Sequence, residues 1–258
     1  MVRFNSKLWC LLTLTAALYC IPLFAQGSDS TVQGRSWSIC ATGLYNFPAS
    51  SSMRGTNEEF RADVMRDYNN RKYPFASPTY AFGWSGKILY ALPSSGHTDL
   101  FLGFSGNFIN SEQDNNHDQA FMAVWGVNLG VEYSLLPRWN TWNVFGRASI
   151  STQFIHGFTD YDFGLGVFRT NVPTAGRLGA EAELGGRFVI PSTPVALELS
   201  GGYLNANLLG KSYTKPPAVP NDDLYERQLN DGKNPDNPDD NSRTIDFLSI
   251  RLGARIWF

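Results

Sequence analysis

Apolar and polar residues alternate with period two along most of the chain, the spacing of strands that present one face to each of two environments. The pattern predicts eight strands, at 35–46, 79–92, 98–110, 120–136, 142–156, 175–190, 195–208 and 244–258. The last is the cleanest. Leu248, Ile250, Leu252, Ala254, Ile256 and Phe258 share one face, and Phe247, Ser249, Arg251, Gly253, Arg255 and Trp257 share the other. Within 177–190, Leu178, Ala180, Ala182, Leu184, Gly186, Phe188 and Ile190 oppose Arg177, Gly179, Glu181, Glu183, Gly185, Arg187 and Val189. Short, turn-rich connections at 93–97, 137–141 and 191–194 alternate with longer ones at 47–78, 111–119, 157–174 and 209–243. An up-and-down antiparallel meander follows, with tight turns at one end and long loops at the other.

A soluble barrel would bury the apolar face, whereas a membrane barrel turns it toward lipid and the charges inward. Each segment can span a bilayer as a tilted strand, which takes about 9–11 residues. Three features favour the membrane version. Arg3 and Lys7 precede an apolar run from Leu8 to Phe24, and polarity returns at Ala25-Gln26. This predicts a secretory signal peptide over 1–25 and a barrel domain over 26–258. A lipidated Cys20 is the rival, but Tyr19 stands where lipidation requires a small residue. The aromatic residues are banded as well: Trp37, Tyr90, Tyr133, Trp142, Phe188 and Phe258 lie near short-turn ends, and Phe47, Tyr80, Phe82, Phe108, Phe121 and Phe154 near long-loop ends. Finally, Gly83, Gly103, Gly126, Gly130, Gly179, Gly185, Gly202 and Gly253 crowd the polar face, making room for long side chains in a narrow interior.

With 43% hydrophobic, 17% charged and 14% aromatic residues, the chain has the means to fold around apolar surface. A net charge of −2 without a basic patch argues against a nucleic-acid partner. Cys10 and Cys20 lie in the predicted leader, which leaves Cys40 alone and predicts no disulfide framework.

The leader ending Phe24-Ala25-Gln26, the turn and loop alternation, and the terminal Arg251-Leu252-Gly253-Ala254-Arg255-Ile256-Trp257-Phe258 resemble the small outer-membrane β-barrels of Gram-negative bacteria, the class of the OmpA transmembrane domain, OmpX and OmpW. The resemblance implies an all-β, eight-stranded transmembrane barrel in the outer membrane, with both termini periplasmic and the long loops outside. It implies two partners, outer-membrane lipid and the outer-membrane assembly machinery. Trp257 and Phe258 would form the assembly signal read by that machinery. The peptidoglycan tethering of OmpA-like proteins is not carried over, because no such domain follows Phe258.

Candidate chemistry lies on the inner face. Lys87, Arg147, Arg187, Arg251 and Arg255 share it with Glu132, Glu181, Glu183 and Glu198, a nearly balanced set able to pair and fill the lumen. The alternative is a gated pore lined by the same charges. Class members that modify lipid direct attention to His97, His117 and His156, but no Ser lies two residues from His156 on its strand, and His97 falls in a short turn. No catalytic residue, cofactor site or metal site is expected. In the first long loop, Asn57 caps a predicted short helix over 57–68 bearing Phe60, Val64 and Tyr68. In the last, 216–243 carries Asp222, Asp223, Asp231, Asp236, Asp239 and Asp240 among prolines, an acidic tract where calcium is conceivable although the spacing is not that of an EF-hand. The expected function is non-enzymatic: a structural or surface-interaction protein whose outer loops meet an extracellular protein or surface ligand. A narrow channel or conduit for hydrophobic small molecules is the alternative, and an outer-leaflet lipid enzyme the third.

Overall fold

The computed structural model describes residues 34–49, 80–92, 96–112, 119–162, 167–212, 229, 231–233, 235, 242 and 244–258. The predicted leader, the 57–68 helix, His117 and most of the acidic tract lie outside these residues. The strands are β1 (Trp37–Pro48), β2 (Tyr80–Ala91), β3 (Thr98–Glu112), β4 (Gln119–Ser134), β5 (Trp142–Asp162), β6 (Val167–Val189), β7 (Val195–Leu209) and β8 (Asp246–Trp257). Each pairs antiparallel with its sequence neighbour, and β1 closes the barrel on β8. All eight coincide with predicted strands, and both strand termini, Trp37 and Trp257, sit at the short-turn end with Leu92, Gly96, His97, 135–141 and 190–194.

One expectation is corrected. The stretch 157–174, read as a loop, is mostly paired strand: β5 and β6 continue to Asp162 and from Val167, leaving 163–166 as the connection. Register sets Asp160 opposite Arg169 and Tyr161 opposite Phe168. The paired residues at this end, such as Thr159-Asp160-Tyr161 against Phe168-Arg169-Thr170, lack the apolar and polar alternation that marks the rest of each strand, which is why the pattern did not mark them. The register shifts between Ile155 and Gly157, where β6 carries Pro173, a residue that cannot donate to a ladder and is accommodated at a bulge.

The wall is inverted relative to a water-soluble barrel. Along β8, Leu248, Ile250 and Leu252 are 51%, 57% and 55% exposed, while Arg251 and Arg255 on the opposite face are 2% and 1% exposed. Leu100, Leu102 and Phe104 on β3, and Leu197 and Leu199 on β7, are also exposed, so the apolar surface is a continuous belt and not scattered residues. Aromatic pairs border it. At the short-turn end Trp37 packs on Tyr90 at 4.8 Å between ring centres and Trp142 on Phe188 at 4.6 Å. At the other end a row crosses four strands through Phe82, Phe108, Phe121 and Phe158, with successive spacings of 5.6, 6.4 and 5.5 Å. A belt of aliphatics between two aromatic rims is a surface built for hydrocarbon.

Inside, eight strands leave a bore just wide enough for side chains. A Cβ on Gly202 would come within 2.5 Å of the Arg251 guanidinium, and one on Gly130 within 2.4 Å of the Ala148 carbonyl oxygen and 2.5 Å of the Phe101 ring. These glycines are therefore spacers for the large inward residues opposite them. Replacing Gly130 or Gly202 by Val is expected to lower barrel stability by about 1–3 kcal/mol through overpacking. Gly86, where an added Cβ meets nothing within 4 Å, tolerates Ala. The folded fraction that resists unfolding on an unboiled gel, followed against urea, separates the two classes.

Candidate functional site

Strand register brings the inward charges together before any long-range contact is considered. Arg147 lies directly opposite Glu132 on one side and Glu183 on the other, and Arg187 lies opposite Glu198. Cross-strand neighbours of opposite sign on one face attract, and here they extend into a network across the bore. Arg147 is its centre: Nε donates to Glu132 at 2.7 Å, Nη1 to Glu183 at 2.8 Å and Nη2 to Glu198 at 2.6 Å. One guanidinium on β5 thus holds carboxylates from β4, β6 and β7. Arg187 donates to Glu132 at 2.5 Å and to Glu198 at 2.8 Å.

From β8, Arg255 donates to Glu132 at 2.6 Å, to the Ser38 hydroxyl at 2.8 Å and to Asp99. Arg251 donates to Glu181, to Glu183 at 3.1 Å and to the Ser249 hydroxyl at 2.7 Å. Lys87 Nζ is 3.2 Å from Glu183, which also accepts from the Ser200 hydroxyl at 2.6 Å. All nine sequence-predicted charges thus fall in one connected set. Aromatic faces cover the guanidinium planes: Phe145 lies 4.2 Å from the Arg147 carbon and 4.9 Å from that of Arg187, and Trp257 lies 4.8 Å from that of Arg255. Such stacking keeps a weakly hydrated cation out of water at low cost.

Sequence reasoning missed two members. Asp99 shares the inner face of β3 with Gly103, and register sets it opposite Glu132, with Arg255 bridging the two acids. Its period-two position was the available signal. Arg138 reaches Asp99 at 3.3 Å from the turn after β4, where no periodicity could have indicated it. With both added, the network holds six cations and five anions. Cys40, fully buried, donates its thiol to Glu198 at 3.4 Å and forms no disulfide.

The lumen has a second half that this network does not reach. Toward the long-loop end its lining turns apolar, with Ile109, Met122, Val124, Ile155, Leu204 and Phe247 in one buried cluster. Small polar groups lie between the halves: Asn46 donates to Asn107 at 2.9 Å, and Asn128 to the Ser105 hydroxyl at 3.3 Å.

The histidines that could suggest catalysis have other surroundings. The His97 ring donates from Nδ1 to the Ser134 carbonyl at 2.8 Å and stacks on Tyr133, and His156 is half-buried on β5 opposite Ala123. Among the described residues no group of three or more His, Cys, Asp or Glu is placed to hold a metal ion. Asp231, the acidic-tract residue that is described, is bonded to Arg177. Phe258 lies on the outer face, 54% exposed, whereas Trp257 turns inward and is buried.

No protein-family model matches the chain, and no curated protein matches it in sequence. Among solved structures, the chain is similar to Neisserial surface protein A at 10% identity and a TM-score of 0.44, over 86% of this chain and 97% of that one. It is similar to the N-terminal β-barrel domain of Pseudomonas aeruginosa OprF at 11% identity and a TM-score of 0.37, over 88% and 100%. The attachment invasion locus protein of Yersinia pestis matches at 11% identity and a TM-score of 0.39, over 86% and 97%.

Removing one partner from a buried ion pair costs about 3–5 kcal/mol, because the remaining charge stays buried. Arg147→Leu leaves three carboxylates short of a donor and is expected to lower the urea midpoint of the membrane-inserted barrel more than Arg251→Leu does. Arg251 serves Glu181, whose side chain retains 11% exposure, and Glu183, which keeps Arg147 and Lys87. Equal midpoints for the two variants would contradict a network centred on Arg147.

Proposed function

We propose that this chain is a non-enzymatic β-barrel of the outer membrane, with both termini in the periplasm and a lumen closed to ions, serving as a scaffold that presents its outer loops and the tall β5–β6 hairpin to surface partners. The observation that carries this reading is the pairing of an exposed aliphatic wall with a buried charged interior. A wall of this kind is costly in water and favoured in a bilayer, and a bore crossed by bonds from Arg147, Arg187 and Arg255 leaves its charges occupied with one another rather than available to line a water column. Its outer-membrane partners are lipid along the belt and, during assembly, the insertion machinery; an extracellular protein or surface ligand is the class of partner for the loops.

Two measurements test it. Membrane fractionation is expected to recover the protein with the outer membrane, and unboiled samples to migrate apart from boiled ones; a soluble periplasmic protein without that shift would overturn the architecture. In planar bilayers the wild type is expected to conduct negligibly, whereas stable, selective single-channel steps would reject the closed lumen in favour of a pore.

Assembly offers a third. Phe258 is exposed on the lipid-facing side, and its backbone N–H donates to the Trp37 carbonyl at 3.0 Å, closing the β1–β8 seam. Deleting Phe258 is expected to lower the inserted fraction severalfold at low expression. Normal insertion of the truncated chain would remove it from the assembly signal.

A further inference from the structure

The apolar half of the lumen is closed by a side chain that belongs to none of its walls. Leu229 comes from the connection between β7 and β8, yet it is 2% exposed and packed within the cluster formed by Ile109, Val124, Ile155, Leu204 and Phe247. Two residues on, Asp231 is fully buried and held by Arg177 of β6, with Nε donating to Oδ2 at 2.8 Å and Nη2 to Oδ1 at 2.7 Å. Arg177 also donates to the Leu229 carbonyl at 3.2 Å and to the Ser212 hydroxyl at 2.9 Å. The grip is doubled from β7, where Asn207 donates to Asp231 Oδ2 at 2.9 Å and accepts from the Ile245 amide at 2.7 Å. Gly210, at a φ of 85°, turns the chain off the end of β7 toward this point.

A bidentate guanidinium–carboxylate contact is geometrically specific, and a leucine in an aliphatic chamber adds burial without direction. Together they hold one point of a connecting segment against the barrel mouth. The charged network below needs neither residue: the ion-pair partners shown for its members do not include Arg177 or Asp231. The barrel thus carries two closures of different chemistry, one ionic and built into its walls, the other apolar and supplied by a loop.

We propose that the outer half of the lumen is a binding compartment for an aliphatic group about the size of a leucine side chain, that Leu229 is its resident occupant, and that the Arg177–Asp231 pair is the latch keeping Leu229 in place. Releasing the latch exposes a chamber lined by aliphatic and aromatic side chains above a floor that stays shut. This goes beyond a passive scaffold, and it makes Asp231 a latch residue rather than part of an acidic cation site.

The test places one thiol in the chamber, Val124→Cys, in the full chain with its three cysteines replaced by serine. Labelling is followed with two small methanethiosulfonates, one bearing a butyl group and one a quaternary ammonium, and only protein that runs as folded on an unboiled gel is scored. With the latch intact both reagents are expected to react slowly. Asp231→Asn, which removes the charge, and Leu229→Ala, which removes the occupant while keeping the clamp, are each expected to speed butyl labelling at least tenfold and ammonium labelling less. Rates within twofold of the parent in either folded variant would overturn the latch. An equal gain for both reagents would show a water-filled vestibule and overturn the aliphatic site. Whether the protein conducts ions is a separate readout, so failure here is distinguishable from failure of the closed-lumen scaffold.

Discussion

Arg147 gives one donor nitrogen to each of three carboxylates on three different strands, and the interior is organised around that contact. Burying an ion pair is weak evidence of stability in a soluble protein, because desolvating two charges costs about as much as their attraction returns. In a membrane barrel the comparison differs. The other face of each strand meets hydrocarbon, where an Arg or Lys near the midplane costs roughly 2–4 kcal/mol. A slip of one residue along β8 would move Arg251 and Arg255 into that position and carry Leu248, Ile250 and Leu252 into the bore. The network's main effect is therefore on register: it makes one facing of β5 through β8 far better than its mirror.

The bore accommodates this only because large and small residues are apportioned between facing strands. Gly202 lies against the guanidinium of Arg251, Gly103 is approached by the Lys87 chain, and Gly185 accommodates Phe145 and Ser200. Arg251, Lys87 and Phe145 thus each have a counterpart glycine, and the aromatic rings of Phe145 and Trp257 cover the guanidinium planes of Arg147, Arg187 and Arg255. Room and charge are thus solved together, since a Cβ at Gly202 would displace the Arg251 guanidinium that bonds Glu181 and Glu183.

The barrel and its inner charges were legible in the sequence because both follow from period two. Where a strand separates hydrocarbon from a polar lumen, alternate residues must differ, and β8 spells this out from Leu248 to Phe258. Asp99 obeys the same rule and could have been read by it. Arg138 could not, since a turn residue has no face to be assigned to, and the pairing of Arg177 with Asp231 joins positions whose separation no local pattern encodes.

Loss of the alternation takes two forms, and each marks a place where the two sides of the wall become alike. Toward the far end of β5 and β6 the sequence from Gly157 to Asp162 and from Val167 to Val172 lost its period-two signature while remaining paired. At the long-loop end of the bore the contrast disappears the other way: outward-facing Phe121 and inward-facing Met122 and Val124 are all apolar, so the segment reads as strand without revealing that an apolar cluster lies behind it. The charged half of the lumen is tied to the membrane by the contrast that makes it readable. Freed of that contrast, the apolar cluster and the end of the β5–β6 hairpin can vary in sequence without disturbing the register that the charged half sets.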